Sequence, residues 1–80
     1  MMNRKDIFNK VSRIFKDVIE DENLTIKESY TSNDIPEWDS LVHIMLIVET
    51  EKKFNIKFLS SEISKWEDIG EMITAIESKI

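Results

Sequence analysis

Apolar residues recur at helical spacing in two segments near the ends of the chain. The first segment has the spacing i, i+4, i+7, i+8 and i+11 with basic residues between, which predicts a helix over about residues 3–20. Its apolar positions are Ile7, Val11, Ile14, Phe15 and Val18. The last segment has the spacing i, i+3, i+4, i+7 and i+11, which predicts a helix starting at Glu67 or Asp68. Its apolar positions are Ile69, Met72, Ile73, Ile76 and Ile80.

A further helix is predicted between these two, beginning near Asp39 or Ser40 and ending near Asn55. Aspartate and serine are favoured N-cap residues, and the apolar pattern starts immediately after them. We expect this helix to be the central one of a bundle, because apolar residues cover much of its circumference. Its predicted buried face consists of Leu41, Ile44, Ile47 and Val48, widened by Leu46 and Phe54.

The segment from residue 21 to residue 39 has no periodicity and reads as a long loop, since Asn, Asp, Ser, Thr and Pro accumulate there. A loop of this length in a small domain indicates either a function or an unrecognised short helix, and both alternatives stay open. We expect four apolar residues to hold it to the core, namely Leu24, Ile26, Tyr30 and Ile35. After the central helix, the segment 60–64 predicts one short helix with a serine cap.

The pattern therefore predicts an all-α protein, a bundle of three long helices and one short third helix. The length of 80 residues fits one domain spanning residues 1–80, and a single Gly and a single Pro leave too few turns for many short strands. No cysteine and one histidine exclude disulfides and the usual zinc sites. The longest apolar run is short for a membrane span of about 20 residues, and no apolar signal core follows the start. We expect a soluble, cytoplasmic protein.

Charge is unevenly distributed along the chain, which has a formal net charge of -5. Residues 1–16 hold five basic side chains and one acid, whereas residues 17–39 hold eight acids and one lysine. The negative balance argues against nucleic acid as a partner, because phosphate backbones are bound by clustered Lys and Arg. The acidic middle of the chain favours basic partners.

Catalytic and metal-binding patterns give little support for an enzyme. Ser40 and His43 are three residues apart and could form a hydroxyl–imidazole pair, but no residue is placed to orient the imidazole. The chain also has three acidic pairs. Such pairs usually lie on solvated helix faces or at caps, and weak binding of a metal ion at the surface stays an alternative. These pairs are Asp21/Glu22, Glu49/Glu51 and Glu67/Asp68.

Ser40 stands out because it follows Asp39 at the start of an apolar helix. A first-turn serine is exposed, and the positive end of the helix favours an attached phosphate. Such a serine suits the receipt of a phosphate-linked group and is poorly suited to attack unaided. The simpler interpretation is that Ser40 or Asp39 only caps the helix, which is the commoner role of these residues.

Four other side chains each have a structural and a functional interpretation. His43 is either a surface or half-buried residue of the helix, or a docking contact. Trp38 and Trp66 are either packed at the edge of the core or stacked on a ligand, and the first is commoner. Met45 is an exposed apolar residue that could contact a partner.

The order of these elements resembles the acyl carrier protein family. In that family a D-S-L motif, here Asp39-Ser40-Leu41, opens the second helix and an F-G-I-x-I/F motif closes it, here residues 54–58. Residues 62–63 resemble the short third helix, and residues 66–71 resemble the entry to the fourth. The similarity thus extends over nearly the whole chain.

The resemblance implies that Ser40 carries 4′-phosphopantetheine, added from coenzyme A by a phosphopantetheinyl transferase that uses magnesium. Asp39 and Leu41, which flank the serine in the motif, would help the transferase and later enzymes to dock. A ligase would load an acyl or aminoacyl group onto this phosphopantetheine arm as a thioester, and an acyltransferase or synthase would then receive it. The carrier itself would be a monomer and would catalyse nothing. The alternative is an unmodified helical interaction module of the same fold.

The chain departs from the family pattern at two places, the second helix and its C-terminal end. Family members of fatty acid synthesis carry acids along the second helix, where this chain has Val42, His43 and Met45. Asn55 replaces the usual Gly after Phe54, and Asn accepts the left-handed conformation of a helix C-terminus. The form Trp38-Asp39-Ser40-Leu41-x-His43 resembles stand-alone carriers of specialised pathways, such as polysaccharide modification or secondary metabolism, and carriage in lipid biosynthesis stays an alternative.

Overall fold

The computed structural model describes residues 2–80, and the elements found in this range are four helices. They are α1 (Arg4–Ile19), α2 (Ser40–Phe54), α3 (Ser60–Ile63) and α4 (Ile69–Glu77). α1 packs against both α2 and α4. The predicted all-α fold, with a short third helix and a long loop between the first two helices, is confirmed.

Side chains and backbone conformations define the start of α1 and both ends of α2 as the residue types predict. Asn3 and Asp6 form a capping box at the start of α1, with the Asp6 N–H donating to the Asn3 side chain over 2.9 Å. The Val42 N–H donates to Asp39 Oδ1 over 2.9 Å, which caps α2. α2 ends at Asn55, whose φ of 55° is left-handed. This is the conformation expected of the residue that replaces glycine.

The core lies between α1, α4 and the inner side of α2. Buried residues come from all three long helices and from the loop between α1 and α2, so the loop is part of the packed structure. The buried apolar residues are Ile7, Val11, Ile14, Phe15, Ile26, Ile35, Leu46, Phe54, Ile69, Met72, Ile73 and Ile76.

The loop between α1 and α2 contains turns and no helix, so the short-helix alternative for residues 21–39 is wrong. The expected apolar contacts are confirmed, with Ile26 and Ile35 buried and Leu24 and Tyr30 partly buried against the core. Two backbone hydrogen bonds attach the loop to the start of α4. The Ile69 N–H donates to the Tyr30 carbonyl over 3.1 Å, and the Gly70 N–H donates to the Glu28 carbonyl over 2.8 Å.

The predicted buried face of α2 is only partly correct: Leu46 and Phe54 are buried as expected and Ile47 is partly buried, but the other three residues are not. Leu41, Ile44 and Val48 are exposed, and the buried residues of this helix are Leu46, Thr50 and Phe54. These three are spaced four residues apart and lie on a different side of the helix. Thr50 is compatible with burial because its hydroxyl donates to the Leu46 carbonyl over 2.7 Å. The prediction failed for Leu41, Ile44 and Val48 because α2 has apolar residues on both sides, and spacing alone cannot choose between them.

Two smaller predictions also fail. Ile80 is exposed beyond the end of α4, so it does not continue the apolar stripe. Ser60 is the first residue of α3 and does not cap it; the N-cap is Leu59, which makes no side-chain capping bond. An ion pair joins α3 to the residues after α4, because Lys79 Nζ lies 2.9 Å from Glu62 Oε1.

Candidate functional site

Ser40 is the first residue of α2 and is exposed to solvent. The carboxylate of Asp39 is occupied by the Val42 N–H, and the Asp39 carbonyl accepts from the His43 N–H over 2.9 Å. Within residues 2–80, no group accepts a hydrogen bond from the backbone N–H of Ser40 or of Leu41. Two free N–H groups therefore lie beside the Ser40 hydroxyl, at the end of the helix where negative charge is favoured.

Ser40 opens onto a cleft of about 470 Å³ between the N-terminal ends of α2 and α4. Its walls combine aromatic rings, the buried Met72 and carboxylates, and no Lys or Arg is found among its described residues. The lining residues are Ser32, Trp38, Asp39, Ser40, His43, Trp66, Glu67, Asp68 and Met72.

His43 and Trp38 form one wall of the cleft. The Trp38 indole Nε1–H donates to His43 Nδ1 over 3.1 Å, and the ring of Trp38 packs edge-on against the buried Phe15 at 5.1 Å between centroids. Partial burial lowers the pKa of His43 below its ordinary value, since desolvation disfavours the charged ring. The imidazole is therefore neutral near pH 7.

Trp66 forms the opposite wall and packs edge-on against Phe58 at 4.8 Å between ring centroids. Both tryptophans thus pack at the edge of the core, as expected, and both also line the cleft. Sequence reasoning missed this shared role and missed Ser32. One signal was present, because Trp38 and Trp66 each lie one or two residues before a helix N-cap, at Asp39 and Asp68 respectively.

The site does not have the geometry of a Ser–His nucleophile pair. His43 Nδ1 is occupied by Trp38, no hydrogen bond joins Ser40 to His43, and no carboxylate of residues 2–80 accepts from the imidazole. In the same range, no three His, Asp or Glu side chains are grouped so that they could hold a metal ion.

The outer side of α2 is an exposed apolar surface that begins one residue after Ser40. We call Leu41, Ile44, Met45 and Val48 the α2 apolar face; their exposed fractions are 66%, 59%, 41% and 42%. The last three of them line a groove of about 590 Å³ against the C-terminal half of α1, with Lys52 and Lys53 at its far end. No acidic residue lies in the first turn of α2.

A small helical bundle with an exposed serine at the N-terminus of its second helix defines a class of carrier domains, and comparison with known proteins agrees. No protein-family model matches the chain. It is 28% identical over 81 residues to the acyl carrier protein of Thermotoga maritima, with 100% of this chain and 99% of that protein covered. Its structure matches the solution structure of the holo acyl carrier protein of Geobacter metallireducens with a TM-score of 0.85. That match has 32% identity and covers 91% of this chain and 84% of the other.

The chain belongs to the acyl carrier protein family. Proteins of this family are carriers and not enzymes, so the chain has a carrier role, and catalysis by a Ser40–His43 pair is no longer an alternative. Of the helices in residues 2–80, none has the length and apolar character needed to cross a membrane.

Proposed function

We propose that Ser40 receives 4′-phosphopantetheine and carries acyl or aminoacyl groups as thioesters on that arm. The observation that carries this proposal is the position of Ser40, exposed at the first residue of α2 beside two free backbone N–H groups. A phosphodiester placed there gains hydrogen bonds and the favourable end of the helix dipole. The structural relative from Geobacter metallireducens is a holo form, which supports a prosthetic group in this chain as well.

The transferase must supply the chemistry of attachment. The Ser40 Oγ–phosphorus bond forms as the pyrophosphate bond of coenzyme A breaks, adenosine 3′,5′-bisphosphate leaves, and the hydroxyl proton passes to a base. This chain offers no such base, because Trp38 occupies Nδ1 of the neighbouring His43 and the Asp39 carboxylate caps α2. The base and the magnesium ion therefore belong to a phosphopantetheinyl transferase.

We propose that this transferase recognises the carrier through the α2 apolar face. The loading ligase and the acyltransferase or synthase would later bind the same surface. Leu41 is its most exposed member and lies next to Ser40. The side chain of Asp39 acts differently, by fixing the start of α2 and thereby the direction of the Ser40 hydroxyl. An apolar surface without acids in its first turn selects partners by shape and apolar burial.

The same surface is the basis for the pathway and the assembly state that we propose. A strongly basic partner site would find no acidic residues to pair with on the α2 apolar face. Carriage in polysaccharide modification or secondary metabolism therefore fits this surface better than fatty acid synthesis. We propose one cytoplasmic carrier domain over residues 1–80 that works as a monomer, since it must present one face to successive enzymes. Tethering then raises the effective concentration of the intermediate at each enzyme.

The test is the intact mass of the purified protein after incubation with coenzyme A, magnesium and a broad-specificity phosphopantetheinyl transferase. We expect a gain of one phosphopantetheinyl group. Ser40→Ala should abolish the gain. The matched control is Ser60→Ala, which also changes an exposed serine at the first residue of a helix but lies at α3, and it should leave the gain unchanged. Circular dichroism checks that each variant is folded.

A second candidate function is supported by the α2 apolar face alone. An unmodified protein of this fold could bind a partner through that face, and it would not need Ser40. If neither the broad-specificity transferase nor that of the native host modifies folded protein, the proposed modification of Ser40 is wrong and this interaction module is the better description.

A further inference from the structure

His43 lies one helical turn after Ser40, and both residues line the same cleft. Residues at i and i+3 share a helix face, and helical side chains lean toward the N-terminus. The imidazole of His43 therefore leans over the turn that begins with Ser40. A group attached to the Ser40 hydroxyl would lie next to this ring.

The hydrogen bond from Trp38 determines which nitrogen of His43 carries the proton. An indole N–H can only donate, so His43 Nδ1, which accepts from it over 3.1 Å, has no proton. The single proton of the neutral ring is then on Nε2. No group within residues 2–80 accepts a hydrogen bond from Nε2, and Phe15 fixes the indole that orients the ring.

The charges around the cleft show why such a donor matters. The charged residues of its walls are Asp39 on the α2 side and Glu67 and Asp68 on the α4 side, all of them carboxylates. A phosphodiester on Ser40 adds another negative charge to this acidic surrounding. Hydrogen bonds from the first turn of α2 and from the imidazole are the interactions that offset it, because the described walls contain no Lys or Arg.

We propose that His43 is a positioning residue for the phosphodiester that Ser40 carries, with its Nε2–H donating to a non-bridging phosphate oxygen. The inference rests on the proposed function of Ser40 and adds to it the residue that orients the first bonds of the arm along the Trp38 wall. A phosphate oxygen held at Nε2 also stabilises the protonated ring. Attachment of the arm therefore raises the pKa of His43.

The experiment is a ¹⁵N NMR titration of the His43 ring in the unmodified protein and in the protein carrying the arm. In the unmodified protein the neutral ring should be protonated on Nε2. In the modified protein the pKa of His43 should rise by about 0.5–1 unit, the effect of a nearby opposite charge at a half-exposed site. Ser40→Ala protein treated with the same transferase and coenzyme A is the control, and its His43 should titrate as in the unmodified protein.

The ³¹P resonance of the arm gives a second measurement. A phosphodiester itself does not titrate near neutral pH. Any pH dependence of its ³¹P chemical shift in the wild type should therefore follow the protonation of His43, with a midpoint at the pKa of that residue. The shift should be independent of pH in His43→Gln, which keeps an N–H donor and removes the titrating ring. A His43 that only supports Trp38 would leave the ³¹P resonance flat in the wild type too.

Three outcomes overturn the inference. A neutral ring protonated on Nδ1 in the unmodified protein contradicts the tautomer on which it depends. Intact mass showing a loaded arm, together with an unchanged pKa of His43 and a flat ³¹P resonance, refutes the positioning role and leaves the proposed function standing. Failure of both transferases to modify Ser40 refutes the proposed function, and the role of His43 falls with it.

Discussion

Within residues 2–80, two non-glycine residues adopt left-handed backbone conformations, and they differ in how well they suit this conformation. Glu20 ends α1 with φ of 62°, and Asn55 ends α2 with φ of 55°. Asparagine tolerates this region, whereas other residues with a Cβ pay about 1 kcal/mol or more there. The side chain of Glu20 is therefore the more costly of the two.

We expect Glu20→Gly to stabilise the protein by about 0.5–1 kcal/mol, because relief of the backbone strain exceeds the extra entropy of glycine in the unfolded chain. Asn55→Ala should destabilise it by about 1 kcal/mol, since alanine lacks the tolerance of asparagine for this conformation. Urea denaturation followed by circular dichroism gives both free energies of unfolding. A loss of stability in Glu20→Gly would show that its side chain, and not the backbone, matters at this position.

At the scale of elements, Arg4 joins three parts of the fold. Its guanidinium contacts Glu28 of the loop over 2.7 Å, Glu77 at the end of α4 over 2.6 Å, and the Gly70 carbonyl at the start of α4 over 3.0 Å. Hydrogen bonding to Arg4 lowers the pKa of Glu28 from its ordinary 4.5. A lowered folded-state pKa means that the ion pair contributes stability above about pH 4.5 and loses it as the pH falls through the lowered value.

Glu28→Gln should therefore destabilise the protein at pH 7 and have little effect once the pH is below the folded-state pKa of Glu28. The matched control is Glu22→Gln, because Glu22 also pairs with an arginine, Arg13, but both side chains are more exposed and join α1 only to the turn that follows it. Chemical denaturation at several pH values between 3 and 7 measures the difference. An equal effect of Glu28→Gln at every pH would exclude the ion pair as its cause.

The two sides of α2 should respond oppositely to substitution. Leu46 is buried in the core, so Leu46→Ala should cost about 2–5 kcal/mol of stability. Ile44→Ser on the α2 apolar face should change stability little and should slow modification of Ser40, because Ile44 is exposed where the transferase is proposed to bind. Unfolding curves and the initial rate of modification separate the two effects. Normal modification of Ile44→Ser, Leu41→Ser and Val48→Ser would exclude this face as the docking surface.

For the whole molecule, the sequence was sufficient for the number and order of the helices and for both ends of α2 and the start of α4, because caps and periodicity are local properties. Asp39, Asp68 and Asn55 each have the cap role that their residue type predicts. The sequence was insufficient for predicting which side of α2 is buried, because apolar residues on both sides of this helix satisfy the same spacing. The cleft could not be predicted either, since it forms only when the loop attaches to α4 and brings Trp66 opposite Trp38.

The arrangement of the indoles has a practical consequence. The chain has two tryptophans, and both line the cleft beside Ser40. One of them, Trp38, donates a hydrogen bond to the neutral ring of the only histidine, His43. The tryptophan fluorescence of this protein, as distinct from the emission of Tyr30, therefore originates entirely in the cleft beside Ser40. Attachment of the proposed arm to Ser40 should change this emission and should be visible in real time without any added label.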